Sequence, residues 1–126
     1  MSPEAVDYMS VAESALDRAH RAFLAEIYED AARNAYTSAL NAARAIIFDK
    51  TGLAVKSHSG TRAKLHELVW KGLAFDKTLV DFLAKAFELR QRVEYGPPTF
   101  VQRAEAAEYL ERATAFLAAA KAVCAP

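Results

Sequence analysis

The chain has 126 residues, 53% of them hydrophobic and 25% charged, a size at which one soluble domain spanning 1–126 can bury about two thirds of its unfolded surface. Sixteen Lys and Arg balance sixteen Asp and Glu, which excludes a global field drawing the protein to nucleic acid or an anionic membrane and makes any anion site a local one. A single cysteine, Cys124, excludes an intramolecular disulfide and points to a reducing, cytoplasmic setting.

Met1-Ser2-Pro3-Glu4 lacks the basic start and apolar stretch of a signal peptide, and no apolar run approaches the ~18 residues of a membrane span. Four glycines, four prolines, abundant alanine and scattered β-branched residues predict an all-α fold. Ser2 followed by Pro3 and Glu4 is a helix start: the hydroxyl caps, proline suits the first turn, and the acid meets the positive end of the dipole. That helix is expected to reach about Ala25. After a slight break at 26–28, a second runs from about Glu29 to Lys50 and ends at Thr51-Gly52.

The second helix is two-faced. Ala32, Tyr36, Ala39, Ala43, Ile46 and Ile47 line one side at helical spacing; Asn34, Thr37, Asn41, Ala45 and Phe48 line the other. A merely solvated face usually carries more charge, so the second side is expected to be covered by another helical layer, a symmetric copy or a different protein. Asn34, Thr37, Asn41 and Phe48 are therefore candidate interface residues.

Residues 54–59 read as a loop and about 60–70 as a short helix whose apolar side is Leu65, Leu68 and Val69. A fourth helix follows over about Lys77 to Glu94, stopped by Gly96-Pro97-Pro98. Thr99-x-x-Gln102 is a capping box opening a last helix from about Phe100 to Val123, with Ala104, Ala107, Leu110, Ala113, Leu117 and Ala120 expected inside. The predicted architecture is an antiparallel helical bundle of four long helices plus one short helix.

At 100° per residue the apolar stripe Leu79, Phe82, Leu83, Ala86 and Val93 runs through Arg90, with Glu94 one turn further on. A guanidinium turned inward must meet a partner, because an unpaired buried charge is costly. Two readings fit. Arg90 and Glu94 form an i, i+4 pair at the rim of a packed bundle, or Arg90, with Arg92 and Tyr95 nearby, grips a phosphate or carboxylate.

Other chemistry is sparse. His20, His58 and His66 fit no metal-binding spacing, and the glycines form no phosphate loop. No cofactor is implied. His58, in Ser57-His58-Ser59-Gly60, reads as a solvated or capping residue against a proton-transfer role, and His66 as a surface residue.

Four stretches carry a wider likeness: Tyr28-Glu29-Asp30-Ala31-Ala32-Arg33-Asn34-Ala35-Tyr36, Asn41-Ala42-Ala43-Arg44-Ala45, Ser57-His58-Ser59-Gly60, and Ala86-Phe87-Glu88-Leu89-Arg90-Gln91-Arg92-Val93-Glu94-Tyr95. Through them the chain resembles the HEPN domain family over nearly its whole length, most of all its small stand-alone branch. The resemblance implies a bundle that commonly forms homodimers and is often encoded beside a minimal nucleotidyltransferase as a toxin–antitoxin pair. It also implies RNA as a ligand. Catalytic members are metal-independent endoribonucleases with an Arg-x4-6-His motif, the arginine positioning phosphate and the histidine assisting proton transfer.

Arg90 matches that arginine, but Tyr95, Gly96 and Pro97 stand where the histidine is due, and Asn34 and Asn41 replace the arginine and histidine frequent in the branch. The first expectation is therefore an interaction protein, the homodimeric partner of a nucleotidyltransferase-type protein, contacting RNA or nucleotide through Arg90, Arg92 and Tyr95. The second is a ribonuclease toxin in which Glu94, Tyr95 or His58 replaces the missing histidine beside Arg90.

Overall fold

The structure, a computed structural model, describes residues 1–97 and 100–124. The described residues form five helices: α1 (Pro3–Leu24), α2 (Tyr28–Thr51), α3 (His58–Trp70), α4 (Lys77–Tyr95) and α5 (Arg103–Cys124). No strand occurs among the described residues. The fold is the expected all-α bundle of four long helices and one short one.

α2 is its axis, packing against each of the other four helices. That position explains its composition, since Ala31, Ala32, Ala35, Ala39, Ala42, Ala43 and Ala45 are all at most 2% exposed and small side chains let several neighbours approach at once. α1 supplies Ala5, Met9, Ala12, Ala15 and Ala19 as its buried stripe. The approach is close enough for the Ser38 hydroxyl on α2 to donate to the Ala12 carbonyl oxygen at 2.8 Å.

The α1–α2 connection is a Schellman turn. Ile27 N–H donates to Ala22 O and Glu26 N–H to Phe23 O, with Glu26 in the left-handed region at φ 62°. A left-handed non-glycine residue costs roughly 1–2 kcal/mol, so the packing of α1 on α2 holds it there. Leu73 N–H to Leu68 O and Gly72 N–H to Val69 O repeat the motif after α3, there with glycine at the strained position.

Three expectations need correction. α3 begins at His58, not Gly60, because the Ser57 hydroxyl caps the Gly60 N–H at 3.0 Å and the buried Thr61 hydroxyl donates back to Ser57 O at 2.7 Å. α5 begins at Arg103, not Phe100: Val101 first enters a small core with Ala31, Ala32, Leu89 and Ala106, and its N–H donates to Glu29 Oε1 at 3.4 Å. The capping threonine proposed for that start, Thr99, lies outside the described residues. On the inner face of α5 Leu110, Ala113, Leu117 and Ala120 are buried as expected, joined by Ala106, Phe116 and Cys124, while Ala104 is exposed and Ala107 half-buried.

The uncharged face of α2 is covered in part within the chain itself. Ala45 is 0% and Asn41 8% exposed, while Asn34, Thr37 and Phe48 are half-buried. Asn34, Thr37 and Asn41 each donate to the backbone carbonyl four residues back, which satisfies those donors and leaves the face neutral.

Candidate functional site

The corner where α3 and α4 meet α2 holds the one concentration of unusual chemistry. Tyr36 sits in the middle of α2 with no exposed surface, and its hydroxyl lies 2.5 Å from His58 Nδ1 at the start of α3. The rings stack, with centroids 5.6 Å apart and planes 18° from parallel. Phe87 of α4 closes the third side, 5.7 Å from Tyr36 and 5.3 Å from His58. The Ser57 cap makes this meeting possible, because it starts α3 early enough to place His58 on the helix, four residues before Arg62.

Three arginines surround the trio. Arg90 on α4 lies over the Tyr36 ring, Cζ 5.7 Å from the centroid, and Arg62 on α3 lies over Phe87 at 5.1 Å. Arg44 on α2 donates from Nη2 to the Lys56 carbonyl oxygen at 2.6 Å, fixing the α2–α3 loop. The Nε atoms of Arg44 and Arg62 are buried and have no hydrogen-bond partner among the described residues, a state that ordinarily costs free energy and marks sites with another purpose. Glu94 pairs with the third arginine, its Oε1 lying 3.4 Å from Arg90 Nε.

This surplus of positive charge shows in the titrating groups. Burial pushes the Tyr36 phenol up to about 12 even though the fields of Arg90, Arg44 and Arg62 favour its ionisation. Burial, reinforced by the same three guanidinium groups and only partly offset by Glu94, holds the His58 pKa below its ordinary value of 6.5. At neutral pH the imidazole is therefore uncharged beside an intact phenol. A phenol is a better donor than acceptor, so the Tyr36 hydroxyl donates to Nδ1 and the ring hydrogen resides on Nε2. In that tautomer His58 can donate an Nε2–H hydrogen bond to an anionic oxygen.

The residues singled out from spacing do not all gather here. Arg90 and Glu94 do, and the rim ion pair of the simpler reading coexists with the arginine cluster; their side chains are 26% and 24% exposed. His58, read from sequence as a solvated loop residue, is central to it. Arg92 is not part of it: two positions beyond Arg90 it points across the helix and meets Glu105 of α5 at 3.7 Å. Tyr95 is 75% exposed at the last position of α4, five residues on and well away from the Arg90 side. The α4 stripe itself turns towards Leu89, which is fully buried, so Arg90 stands at its edge rather than on its centre line.

Arg44, Arg62, Tyr36 and Phe87 were not legible as site residues. The signal that could have found Arg62 is its i, i+4 spacing from His58 on α3, available only once the helix is known to start at Ser57.

Among the described residues no group of three or more His, Cys, Asp or Glu side chains is placed to hold a metal ion, and no helix is long and apolar enough to cross a membrane. Cys124 is buried, and burial raises its thiol to about 11, which leaves it unreactive at neutral pH.

Fold and corner together define a helical bundle that carries an arginine-ringed Tyr–His pair. The family model of the HEPN domain matches residues 5–123, and the chain belongs to that family. No curated protein matches it.

Proposed function

We propose that this HEPN domain contacts the phosphates of RNA or a nucleotide through Arg44, Arg62 and Arg90, acting as the homodimeric partner of a nucleotidyltransferase-type protein in a toxin–antitoxin-like pair. The observation that carries the anion site is the convergence of three guanidinium groups on one Tyr36–His58 pair, two of them with a buried Nε lacking an acceptor. Guanidinium groups are weakly hydrated and offer paired donors, which suits phosphate oxygens. The dimer is supported by family membership and by the half-buried, internally satisfied face of Asn34, Thr37 and Phe48 around Asn41, which costs little to desolvate.

One observation favours a second reading, a metal-independent endoribonuclease. His58 stands on Tyr36 inside the field of Arg90, so a proton-transfer group accompanies the phosphate-binding arginine although the motif position after Arg90 carries none. Uncharged at neutral pH, with Nδ1 taken by Tyr36, His58 supplies a hydrogen-bond donor at Nε2 and becomes an acid only when protonated. Glu94, the adjacent carboxylate, is engaged by Arg90, so neither a charged acid nor a free base stands ready at neutral pH, and binding is the better supported function.

Purified protein incubated with mixed cellular RNA under excess chelator separates the two. Binding that Arg90→Ala and Arg62→Ala weaken, with the RNA intact, supports the binding module. Cleavage that vanishes in both Arg90→Ala and His58→Ala establishes the nuclease. RNA neither bound nor cut sinks the anion site, and a monomer throughout the micromolar range sinks the homodimer.

A further inference from the structure

The far end of α3 carries a feature the arginine cluster does not use. Trp70, the only tryptophan in the chain, is 77% exposed at the last position of α3. The His66 ring lies nearly parallel to it, 11° off with centroids 6.4 Å apart, and Lys77 Nζ at the start of α4 lies 5.7 Å from its ring centre. With three quarters of the residue in water, neither neighbour covers the ring. An indole left so exposed is uncommon on a helix end and leaves a broad π-face open.

The two ends are joined. A hollow bounded by Trp70, Lys77 and Val69 shares His66, Val80 and Asp81 with a second hollow that reaches Ser59, Arg62 and Ala84. Arg62 in turn lies over Phe87 at the arginine corner. One groove between α3 and α4 therefore runs from Arg62 to Trp70, with a cation over an aromatic ring at each end. At 1.5 Å per residue, the stretch of α3 from Arg62 to Trp70 is about 12 Å long, the span of roughly three to four stacked nucleotides at 3.4 Å each.

We infer that this groove binds an unpaired RNA strand, one phosphate seated among the arginines and a base stacked on Trp70. The inference rests on the anion-site reading above and extends it from a phosphate to a single-stranded ligand. Stacking platforms alternating with cations suit unpaired strands, because every base has a π-face. A duplex keeps its bases stacked inside and offers Trp70 nothing. Asp81, the carboxylate on the groove wall, opposes a phosphate but accepts a hydrogen bond from a base amino group, which places a base rather than the backbone beside it and favours cytidine over uridine there.

The test titrates hexacytidylate, a blunt RNA duplex and inorganic phosphate into wild-type protein while Trp70 fluorescence is read. Labelled hexacytidylate is also bound to wild type, Trp70→Ala and Arg90→Ala with anisotropy as the readout. Expected are quenching by hexacytidylate alone and a roughly 5- to 150-fold loss of affinity in Trp70→Ala, the range set by removing one base–aromatic stack, with the melting temperature unchanged. If Arg90→Ala weakens binding but Trp70→Ala does not and no quenching occurs, the groove is overturned while the arginine site stands. If Arg90→Ala binds like wild type, the reading beneath the inference fails instead. Trp70 emission that shifts with protein concentration and ignores hexacytidylate assigns the indole to a second copy of the chain and overturns the groove.

Discussion

The seam between α1 and α2 and the corner where α3 and α4 meet α2 use one helix in opposite ways. Along the seam the contacts are alanine and Met9, and Ala5, Ala12, Ala15 and Ala19 are exposed by 1% or less. The Ser38 hydroxyl there finds a carbonyl, so burial and hydrogen bonding are both complete. At the corner α2 presents Tyr36 and Arg44, and the packing brings in Arg62, Arg90, His58 and Phe87. Its polar groups are not all satisfied. A face whose polar groups are matched serves the fold; a face that keeps charged donors partly buried and unmatched is the place the proposed anion site would occupy.

If that contrast is right, damage at the two places has different consequences. Ala12→Leu forces three extra carbons into the closed seam and is expected to destabilise the fold by about 1–3 kcal/mol, read by denaturant or thermal melting, with no selective effect on phosphate binding among the molecules that remain folded. Equal loss of binding and stability would erase the distinction. At the corner, Arg62→Ala is the cleanest probe, because Arg44 also secures the Lys56 carbonyl and Arg90 pairs with Glu94. Losing charge-assisted hydrogen bonds worth about 1.5–3 kcal/mol lowers RNA affinity by roughly 10- to 150-fold, measured by filter binding at fixed salt, while the melt changes far less than in Ala12→Leu.

A smaller effect is expected from Tyr36→Phe, which keeps the ring but removes the hydroxyl that holds His58. A lost neutral hydrogen bond costs about 1 kcal/mol. The variant should melt slightly earlier, and its His58 should lose the fixed tautomer, visible in the imidazole nitrogen shifts. Unchanged shifts would mean that the phenol does not orient the ring.

The smallest effect is the pH dependence. The folded His58 pKa lies below 6.5, so the unfolded chain binds more protons as pH falls through that value and folding stability declines there. Anion binding moves the other way, since protonated His58 adds a fourth cation to the corner. His58→Asn should flatten both trends; a stability profile that keeps its full slope in the variant would assign it to another group.

Much of the bundle was readable because alanine content, caps and apolar spacing all act locally. Ser2 and Gly52 marked their helix ends, and α4 matched to within a residue. The misplaced starts of α3 and α5 have different causes: α3 rests on a local cap, Ser57 on Gly60 with Thr61 bonded back to Ser57, that the glycine at 60 masked, whereas α5 waits for Val101, which enters the α2–α4 core through a contact made at a distance. The break before α2 was weakly marked because Glu26 occupies a position where glycine would announce the turn.

The site was half legible for the same reason. Arg90 and Glu94 lie one turn apart and their pairing follows from helical geometry, whereas Tyr36, His58 and Arg62 come from two helices whose meeting no spacing encodes. Arg92 was grouped with Arg90 by nearness in sequence, yet 200° of helix rotation sends it to Glu105.

Whether the α2–α3–α4 corner takes an anion can be read by following the three histidine imidazoles by NMR while inorganic phosphate is added. The prediction is a saturable shift of His58 with a rise in its pKa, diminished in Arg62→Ala, while His20 on the exposed face of α1 and His66 in the groove stay still. A His58 resonance as indifferent to phosphate as that of His20 would contradict it.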